Sequence, residues 1–178
     1  MKLHLGCGSN ILDGYVNIDK FVKSNGVINL DILELPYPDS SVNELLAEHV
    51  IEHLTFAEEK KFFSQALKLL KVGGVLRVEV PDMEWVFREF LSQDDQFKDF
   101  YKVGALDHYF GNGILPNNRW GILTTHIWGN QNGDGQFHKN GYTEKKLLSI
   151  GKLMNFSSTA VSIGFNKGTQ VLKAEFIK

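Results

Sequence analysis

A short apolar run at residues 3–5 ends at two glycines one residue apart, Gly6 and Gly8. Ten residues separate Gly8 from an acid, Asp19, which ends a second apolar run. Glycine permits tight turns and lets the backbone approach a ligand closely. The spacing therefore predicts a strand, a ligand-holding turn too short for a full crossover helix, and a second strand that ends in a carboxylate.

Further along the chain, segments with strand patterns alternate with segments of helical periodicity. The predicted strands cover residues 3–5, 15–18, 27–30, 42–47, 75–80, 160–164 and 170–177. One helix begins at the capping box of Thr55 and Glu58 and is predicted to end at the glycine pair 73–74. Two more helices are expected, one capped by Asp82 and one over residues 143–154. This alternation predicts an α/β domain with a mostly parallel sheet, closed by an antiparallel hairpin.

The composition suits one globular domain, with 178 residues of which 43% are apolar and 22% charged. A net charge of −2 gives no reason to expect a nucleic acid or an anionic membrane as partner. Cys7 is the only cysteine, so no internal disulfide can form and the cytoplasm is the expected compartment. No run of about 20 apolar residues occurs, so no membrane span is expected.

Residues 97–142 differ from the rest of the chain, because glycine and asparagine alternate there with aromatic residues. Long irregular segments in compact domains are often functional. We therefore predict a single domain over residues 1–178, in which residues 97–142 form an insertion or lid over the substrate site. Trp120, Trp128 and Phe137 are candidates for stacking on a sugar or ring, or for simple packing.

Polar residues recur where the predicted strands end. Asp19, Asp31, Asp82 and the pair Glu48-His49 each close or follow a strand. In open α/β sheets, ligands bind beyond the carboxyl ends of the strands. Asp19 can accept hydrogen bonds from both ribose hydroxyls, and Asp31 can accept one from an adenine amino group. The sequence therefore predicts an adenosine ligand at this edge.

A dinucleotide is disfavoured, because its fingerprint needs glycine or alanine where Ile11 stands. Asp19 also follows the glycines sooner than the roughly 20 residues typical of dinucleotide sites. A pyrophosphate prefers the N-terminus of a helix, whereas a ligand without phosphates can use a short loop. A phosphate-free nucleoside is the favoured ligand, and a dehydrogenase with an unusual loop is the weaker alternative.

The order of these segments resembles class I S-adenosylmethionine-dependent methyltransferases, and two of the segments resemble a small bacterial subgroup of that family. The resemblance is carried by several motifs in sequence order, each weak alone. These motifs are LHLGCGSN (3–10), GYVNID (14–19), LDILELPYPDSSVNELLAEHVIEHL (30–54), ALKLLKVGGVLRVEVPD (66–82) and FHKNGYTEKKLLSIGKLMNF (137–156). His4 departs from the family pattern, which has an acid there, and Asn10 stands where many members have a third glycine.

The resemblance implies a Rossmann-like, doubly wound sheet with strand order 3-2-1-4-5-7-6 and an antiparallel last strand. It implies S-adenosylmethionine as the cofactor and a set of cofactor-binding residues. That set is Gly6, Cys7 and Gly8 at the methionine part, Asn10 in the same loop, Asp19 at the ribose, Asp31 with Ile32 at the adenine, and Glu48 with His49 beside the sulfonium.

Methyl transfer from a sulfonium is an in-line displacement, to which a protein mainly contributes alignment of acceptor and methyl group. A base with a near-neutral pKa assists when the acceptor is a hydroxyl or a protonated amine, and histidine is the usual choice. We predict His138 as this base. The other candidates within residues 97–142 are Asp107, His108, His126, Asp134 and Tyr142. The expected acceptor is a small molecule or a glycan-type compound.

Residues 49–53 also spell H-x-x-E-H, the inverted zinc-peptidase signature. On a helix, His49 and His53 would share one face and hold zinc, with Glu52 as base. Because Thr55 begins a new helix just beyond, a continuous helix through both histidines is disfavoured. A zinc hydrolase is therefore a weaker alternative, and no metal ligand is assigned. The other alternative is a protein that binds S-adenosylmethionine without transferring methyl.

Overall fold

Seven strands form one sheet in a computed structural model that describes residues 1–92, 119–166 and 169–178. The strand order is β3-β2-β1-β4-β5-β7-β6. The strands are β1 (Lys2–Leu5), β2 (Val16–Ile18), β3 (Val27–Ile28), β4 (Val42–Glu48), β5 (Leu70–Pro81), β6 (Ser158–Asn166) and β7 (Thr169–Ile177). Strand β7 runs antiparallel to β5 and β6, and the remaining neighbours pair in parallel. The predicted order and the antiparallel last strand are confirmed.

The helices of the described residues follow the strands in the α/β pattern that the sequence predicts. They are α1 (Phe56–Leu69), α2 (Met83–Ser92), α3 (Arg119–Trp128) and α4 (Glu144–Leu153), with a single 3-10 turn at Ile51–His53. The predicted capping box of α1 is present, with the Thr55 hydroxyl accepting from the Glu58 N–H and the Glu58 carboxylate accepting from the Thr55 N–H. Asp82 caps α2 by accepting from the N–H groups of Glu84 and Trp85. None of the described helices combines the length and apolarity needed to cross a bilayer.

Helix α1 ends earlier than the sequence predicts. The chain becomes extended at Leu70, and strand β5 begins there, before the glycine pair 73–74 that was expected to end the helix. Leu70 pairs with Val42 of β4, and the N–H of Gly73 donates to the carbonyl of Lys178. Pairing with distant strands, which the local sequence does not reveal, decides where this helix stops.

One face of the sheet carries the hydrophobic core. Buried residues of β4 and β5, such as Leu45 and Leu76, pack in one cluster with α1 and α4. Aromatic rings reinforce this cluster, since the rings of Phe63 and Phe176 lie edge to face with centroids 5.3 Å apart. The core therefore joins the sheet to the helices on this face.

The opposite face of β5 is polar, which accounts for two charges that are unusual in a parallel strand. Arg77 forms ion pairs with Glu44 on β4 and Glu175 on β7. Glu79 accepts from Asn166 at 2.6 Å and pairs with Lys173 at 3.1 Å. The charges on β5 are thus matched by partners on neighbouring strands.

Candidate functional site

The loop after β1 has a backbone that glycine suits best. Gly6 has φ +62°, and a Cβ at this position would lie 2.6 Å from the side chain of Val50. Gly8 has φ +54°, and a Cβ there would meet no atom within 4 Å, because the residue faces an open cleft. The N–H of Cys7 donates to the carbonyl of Ile18, which holds this loop against the end of β2.

Asp19, at the end of β2, is buried and joins three backbone segments. One carboxylate oxygen, Oδ2, accepts from the N–H of Gly8 at 2.9 Å. The other, Oδ1, accepts from the N–H groups of Phe21 and Val22, both at 2.8 Å. A carboxylate offers about four lone-pair sites. Three are used inside the chain, so Asp19 retains capacity for about one further donor from a ligand.

Asp31 follows β3 on the same edge and is partly exposed. Its carboxylate accepts from the N–H of Leu33 at 2.9 Å and from the ammonium of Lys20 at 2.8 Å. Partial burial opposes ionisation, but these two interactions outweigh it and lower the pKa of Asp31. Asp31 is therefore an ionised acceptor at the rim of the cleft.

A cleft of about 290 Å³ lies at this edge of the sheet. Six of the predicted cofactor-binding residues line it: Gly6, Gly8, Asp19, Asp31, Ile32 and His49. The other three, Cys7, Asn10 and Glu48, line an adjoining hollow that shares Gly6 and His49 with the cleft. His4 lies in this hollow too, where its Nδ1 is 3.1 Å from the amide oxygen of Asn17. The predicted set therefore divides between two connected spaces.

A loop from the later part of the chain contributes to the same cleft. Gly135 lies against the half-exposed ring of Phe21, so close that an added Cβ would lie 2.5 Å from it. The N–H groups of Lys139 and Asn140 both donate to the carbonyl of Glu52, which anchors the end of this loop. Phe21 is a cleft residue that the sequence does not predict, since its only signal is an aromatic side chain two positions after Asp19.

The described part of the predicted insertion thus lies beside the cleft. Residues 97–118, including Asp107 and His108, lie outside the described residues, as does the side chain of Trp120. That residues 97–142 form an insertion or lid stays a prediction.

A second pocket, of about 240 Å³, adjoins the cleft and shares His49 and His53 with it. Its polar lining includes Glu52, His126 and His138. The predicted base His138 therefore lies next to the candidate cofactor cleft. A small polar compound in this pocket would be close to a ligand in the cleft.

His53 and His138 are arranged in similar ways on the wall of this pocket. Nδ1 of His53 lies 3.0 Å from the carbonyl oxygen of Phe137, and Nδ1 of His138 lies 2.8 Å from that of His126. Because a carbonyl oxygen only accepts, Nδ1 carries the proton in both rings. Burial lowers the pKa of His138, although the charge of Glu52 opposes this effect. His138 is thus a neutral imidazole whose lone pair is on Nε2.

His49 has a different environment. Its backbone adopts φ +54°, and its N–H donates to the carbonyl of Glu79. Its ring nitrogens lie 3.2 Å from the carboxylates of Glu52 and Glu79. Burial opposes protonation, but the two carboxylates outweigh it and raise the pKa of His49 to about 10. His49 is therefore an imidazolium between two carboxylates.

This geometry differs from the helical zinc-peptidase arrangement considered for residues 49–53. Only Ile51–His53 form a helical turn, and it is a 3-10 turn. The left-handed backbone of His49 places it outside that turn. His49 and His53 therefore do not share a helix face.

Glu52 is fully buried and ionised. Its Oε1 accepts from His49, whereas its Oε2 has no hydrogen-bond partner among the described residues. Burial opposes ionisation, yet the hydrogen bond and positive charge of His49 lower the pKa of Glu52. Glu52, His53 and His138 each offer one potential metal-ligand atom, and these three atoms lie within 4.8 Å of one another.

The remaining predicted side chains lie in other environments. Tyr142 is in the core, where its hydroxyl donates to the carbonyl of Ile51 and burial raises its pKa. His126 is buried at the second pocket, and Asp134 is exposed. Trp128 and Phe137 are about half exposed, and neither side chain is among the described residues that line the two pockets.

Comparison with known proteins finds one family model that is similar to the first part of the chain. Residues 3–78 match the family model described as a methyltransferase domain. No curated protein sequence matches the chain.

Solved structures with the same fold cover nearly the whole chain. A SAM-dependent methyltransferase from Archaeoglobus fulgidus is 13% identical, with 99% of this chain and 85% of that chain covered and a TM-score of 0.60. Burkholderia thailandensis 1,6-didemethyltoxoflavin-N1-methyltransferase, with bound 1,6-didemethyltoxoflavin and S-adenosylhomocysteine, is 13% identical, covers 99% and 70%, and has a TM-score of 0.61. A SAM-dependent methyltransferase from Methanosarcina mazei is 16% identical, covers 99% and 90%, and has a TM-score of 0.58. At these identities the likeness concerns the fold.

Proposed function

We propose that this protein is an S-adenosylmethionine-dependent methyltransferase that acts on a small molecule. The observation that carries the proposal is the cleft at the carboxyl ends of β1 and β2, where the loop of Gly6 and Gly8 faces the carboxylates of Asp19 and Asp31. The match of residues 3–78 to a methyltransferase domain supports it, as does the shared strand order of the structural neighbours.

The residues of the cleft fit a nucleoside without phosphates. Gly8 leaves open space where any other residue would place a Cβ, so a ligand can approach the backbone closely. Asp19 retains acceptor capacity for a ribose hydroxyl, and Asp31 offers an ionised acceptor for the adenine amino group beside Ile32. His49 lines both the cleft and the second pocket, and we place the sulfonium beside it. Gly6 lines the cleft and the adjoining hollow. Cys7, Asn10 and Glu48 border the adjoining hollow and are assigned to the methionine end.

The second pocket is the proposed acceptor site. S-adenosylmethionine supplies a methyl group on a sulfonium, and its transfer forms a bond to an acceptor lone pair as the carbon–sulfur bond breaks. The polar side chains of Glu52, His53 and His138 line this pocket and would orient the acceptor. A proton on the acceptor would pass to Nε2 of His138, as the sequence prediction has it.

The pocket size and lining favour a compact polar acceptor over a long polymer. A volume of about 240 Å³ accommodates a small molecule or one sugar unit of a glycan. The bound heterocycle in the Burkholderia neighbour supports an acceptor of small-molecule size. A cytoplasmic location and the lack of a nucleic-acid partner stay predictions from Cys7 and the net charge of −2.

Isothermal titration calorimetry with S-adenosylhomocysteine tests the cofactor assignment. We expect one binding site per chain, and no heat of binding with NAD. Absence of S-adenosylhomocysteine binding, or preferential binding of NAD, would overturn the proposal.

Catalysis is tested separately by incubating the protein with S-adenosylmethionine and pools of small hydroxylated, amino and glycan compounds. Formation of S-adenosylhomocysteine that depends on one pool is the expected result. Binding without turnover on any pool favours the alternative of a non-catalytic S-adenosylmethionine-binding protein.

A further inference from the structure

We propose that Glu52, His53 and His138 form a binding site for a divalent transition-metal ion, for which Zn²⁺ is the best-fitting choice. The sequence predicts no metal ligand, and its H-x-x-E-H motif offers only His49 with His53 as a candidate pair. The structure instead brings His138, from the loop after α3, to the pair Glu52-His53. One carboxylate and two imidazoles are a ligand set that zinc commonly takes in catalytic sites.

The spacing of the three groups suits a single ion. One ligand atom from each side chain can be chosen so that all three lie within 4.8 Å of one another. Zinc–nitrogen and zinc–oxygen bonds are about 2.0–2.2 Å long, so an ion at the centre draws these atoms closer together than they lie without it. The two histidine rings already meet edge to face, with centroids 4.8 Å apart.

The hydrogen bonds behind the histidines are those expected of metal ligands. Nδ1–H of His53 donates to the carbonyl of Phe137, and Nδ1–H of His138 donates to that of His126. A metal-bound histidine almost always donates its other ring N–H to a carbonyl, a carboxylate or a water, which fixes its tautomer and orientation. Both rings therefore keep Nε2 for the ion.

The carboxylate of Glu52 supplies an independent indication of a missing partner. Its side chain is completely buried, yet Oε2 has no hydrogen-bond partner among the described residues. A buried carboxylate oxygen without a hydrogen-bond partner is unfavourable. A cation bound to Oε2 removes this deficit. His49, which donates to Oε1, then holds the carboxylate in place from the other side.

The position of the cluster indicates what the ion does, and this part of the inference rests on the proposed methyltransferase function. All three side chains line the second pocket, and His53 also lines the cofactor cleft. A zinc ion with three protein ligands keeps one position for water or substrate. We assign that position to an oxygen of the methyl acceptor.

An acceptor hydroxyl bound to the ion loses its proton more readily, and the proton passes to bulk water. The acceptor oxygen then forms a bond to the methyl carbon while the carbon–sulfur bond breaks, which yields a methyl ether and a neutral thioether. Because the ion occupies Nε2 of His138, it replaces this histidine as the means of activating the acceptor.

The first test measures metal binding by the full chain after treatment with a chelator. Titration with ZnCl₂ in a calorimeter is expected to show one site with Kd of about 1 μM or lower. Co²⁺ in place of Zn²⁺ is expected to give the visible absorption of a four-coordinate nitrogen and oxygen site. The absence of saturable binding by the wild-type chain would overturn the proposal.

Substitutions test which side chains bind the ion. His138→Ala and Glu52→Gln are each expected to weaken Zn²⁺ binding by more than about 100-fold. Loss of a residue that only hydrogen-bonds to a metal ligand weakens binding by about 10- to 100-fold, and loss of a ligand itself should cost more. Glu84→Gln, on the exposed part of α2, is the matched control and should bind Zn²⁺ like the wild type. If His138→Ala binds Zn²⁺ with wild-type affinity, the proposed site is wrong. Circular dichroism identifies a variant that fails to fold, and His138→Gln then replaces it.

Two more measurements separate this proposal from the methyltransferase assignment. S-adenosylhomocysteine binding is measured on the same samples, so a chain that binds Zn²⁺ without S-adenosylhomocysteine refutes only the methyltransferase assignment and the role of the ion in it. Acetohydroxamate, a small oxygen chelator, is added to the Co²⁺ protein as a probe of the remaining coordination position. A change in the visible spectrum is expected, and an unchanged spectrum would overturn the assigned role of the ion in holding an acceptor oxygen.

Discussion

The carboxylate of Asp19 accepts a hydrogen bond of 2.9 Å from the backbone N–H of Gly8, which ties the glycine loop to the end of β2. The same carboxylate also accepts hydrogen bonds from the N–H groups of Phe21 and Val22. Asp19 thus holds both the glycine loop and the segment after β2 in place, and it retains capacity to accept one hydrogen bond from a ligand. Its proposed role in cofactor binding is therefore coupled to a role in local structure.

Asp19→Asn is expected to weaken S-adenosylhomocysteine binding at least about tenfold and to lower the free energy of unfolding by about 2 kcal/mol. The amide removes the negative charge and one of the two acceptor oxygens that serve the three N–H groups. Calorimetry and urea denaturation measure the two effects. Asp13→Asn, an exposed acid in the same loop, is the control and should change neither quantity. Wild-type affinity in Asp19→Asn would contradict the assignment.

Phe21→Ala tests whether the exposed ring at the cleft rim contacts the cofactor. Phe21 is 54% exposed, and its ring lies against Gly135. Loss of the ring is expected to weaken S-adenosylhomocysteine binding by about 5- to 10-fold, equivalent to about 1 kcal/mol of aromatic contact. Unfolding in urea should change by no more than about 0.5 kcal/mol. Phe87→Ala, at a similarly exposed position on α2, should leave affinity unchanged. Equal affinities for all three proteins would exclude Phe21 from the site.

The carboxylate of Glu79 makes stability depend on pH in the acid range. The hydrogen bond with His49 is the largest cause that lowers the pKa of Glu79 from 4.5 to about 2. Hydrogen bonds from Asn166 and Lys173 lower this pKa further, whereas burial opposes the shift. Since the folded-state pKa is the lower one, the stabilisation is fully present above pH 4.5 and is lost as pH falls toward 2.

Glu79→Gln is therefore expected to lower the free energy of unfolding by about 2 kcal/mol at pH 7. The difference from the wild type should shrink steadily between pH 4.5 and pH 2. Urea denaturation at a series of pH values measures it, with the exposed Glu84→Gln as control. A difference that grows toward low pH would refute this account.

Two phenylalanines of α1 give a matched test of the core. Phe63 is 1% exposed and packs on Phe176, whereas Phe56 is 75% exposed. Phe63→Ala is expected to cost about 3–5 kcal/mol of unfolding free energy, and Phe56→Ala no more than about 0.5 kcal/mol. Urea denaturation compares them, with Phe63→Leu as a milder substitute if the alanine variant does not fold. Similar losses at the two positions would show that the buried face of α1 is misassigned.

Several features were predictable because they depend on neighbours in sequence. The capping box of Thr55 and Glu58 and the cap at Asp82 involve residues within one helical turn. The strands were recognised from short runs of apolar residues, and their order followed from the family resemblance. The end of α1 was misplaced, because pairing of Leu70 with Val42 is a contact across the chain.

The candidate site also has some features that the sequence predicts and others that depend on contacts between distant segments. Strand ends position Asp19 and Asp31 on the cleft as the sequence predicted, since the carboxyl ends of parallel strands meet at one edge. The division of the predicted set between the cleft and the adjoining hollow was not predictable. It depends on where Glu48 and Asn10 point once the sheet is assembled.

The sequence by itself determined the α/β class, the local caps and the acids at the strand ends, because periodicity and short-range hydrogen bonds are properties of adjacent residues. Tertiary structure alone decided that His138 meets Glu52 and His53, that Gly135 lies against the ring of Phe21, and that Glu79 and Lys173 form an ion pair. These contacts form only when the β-sheet brings distant segments together, and no spacing within the chain encodes the distances between them.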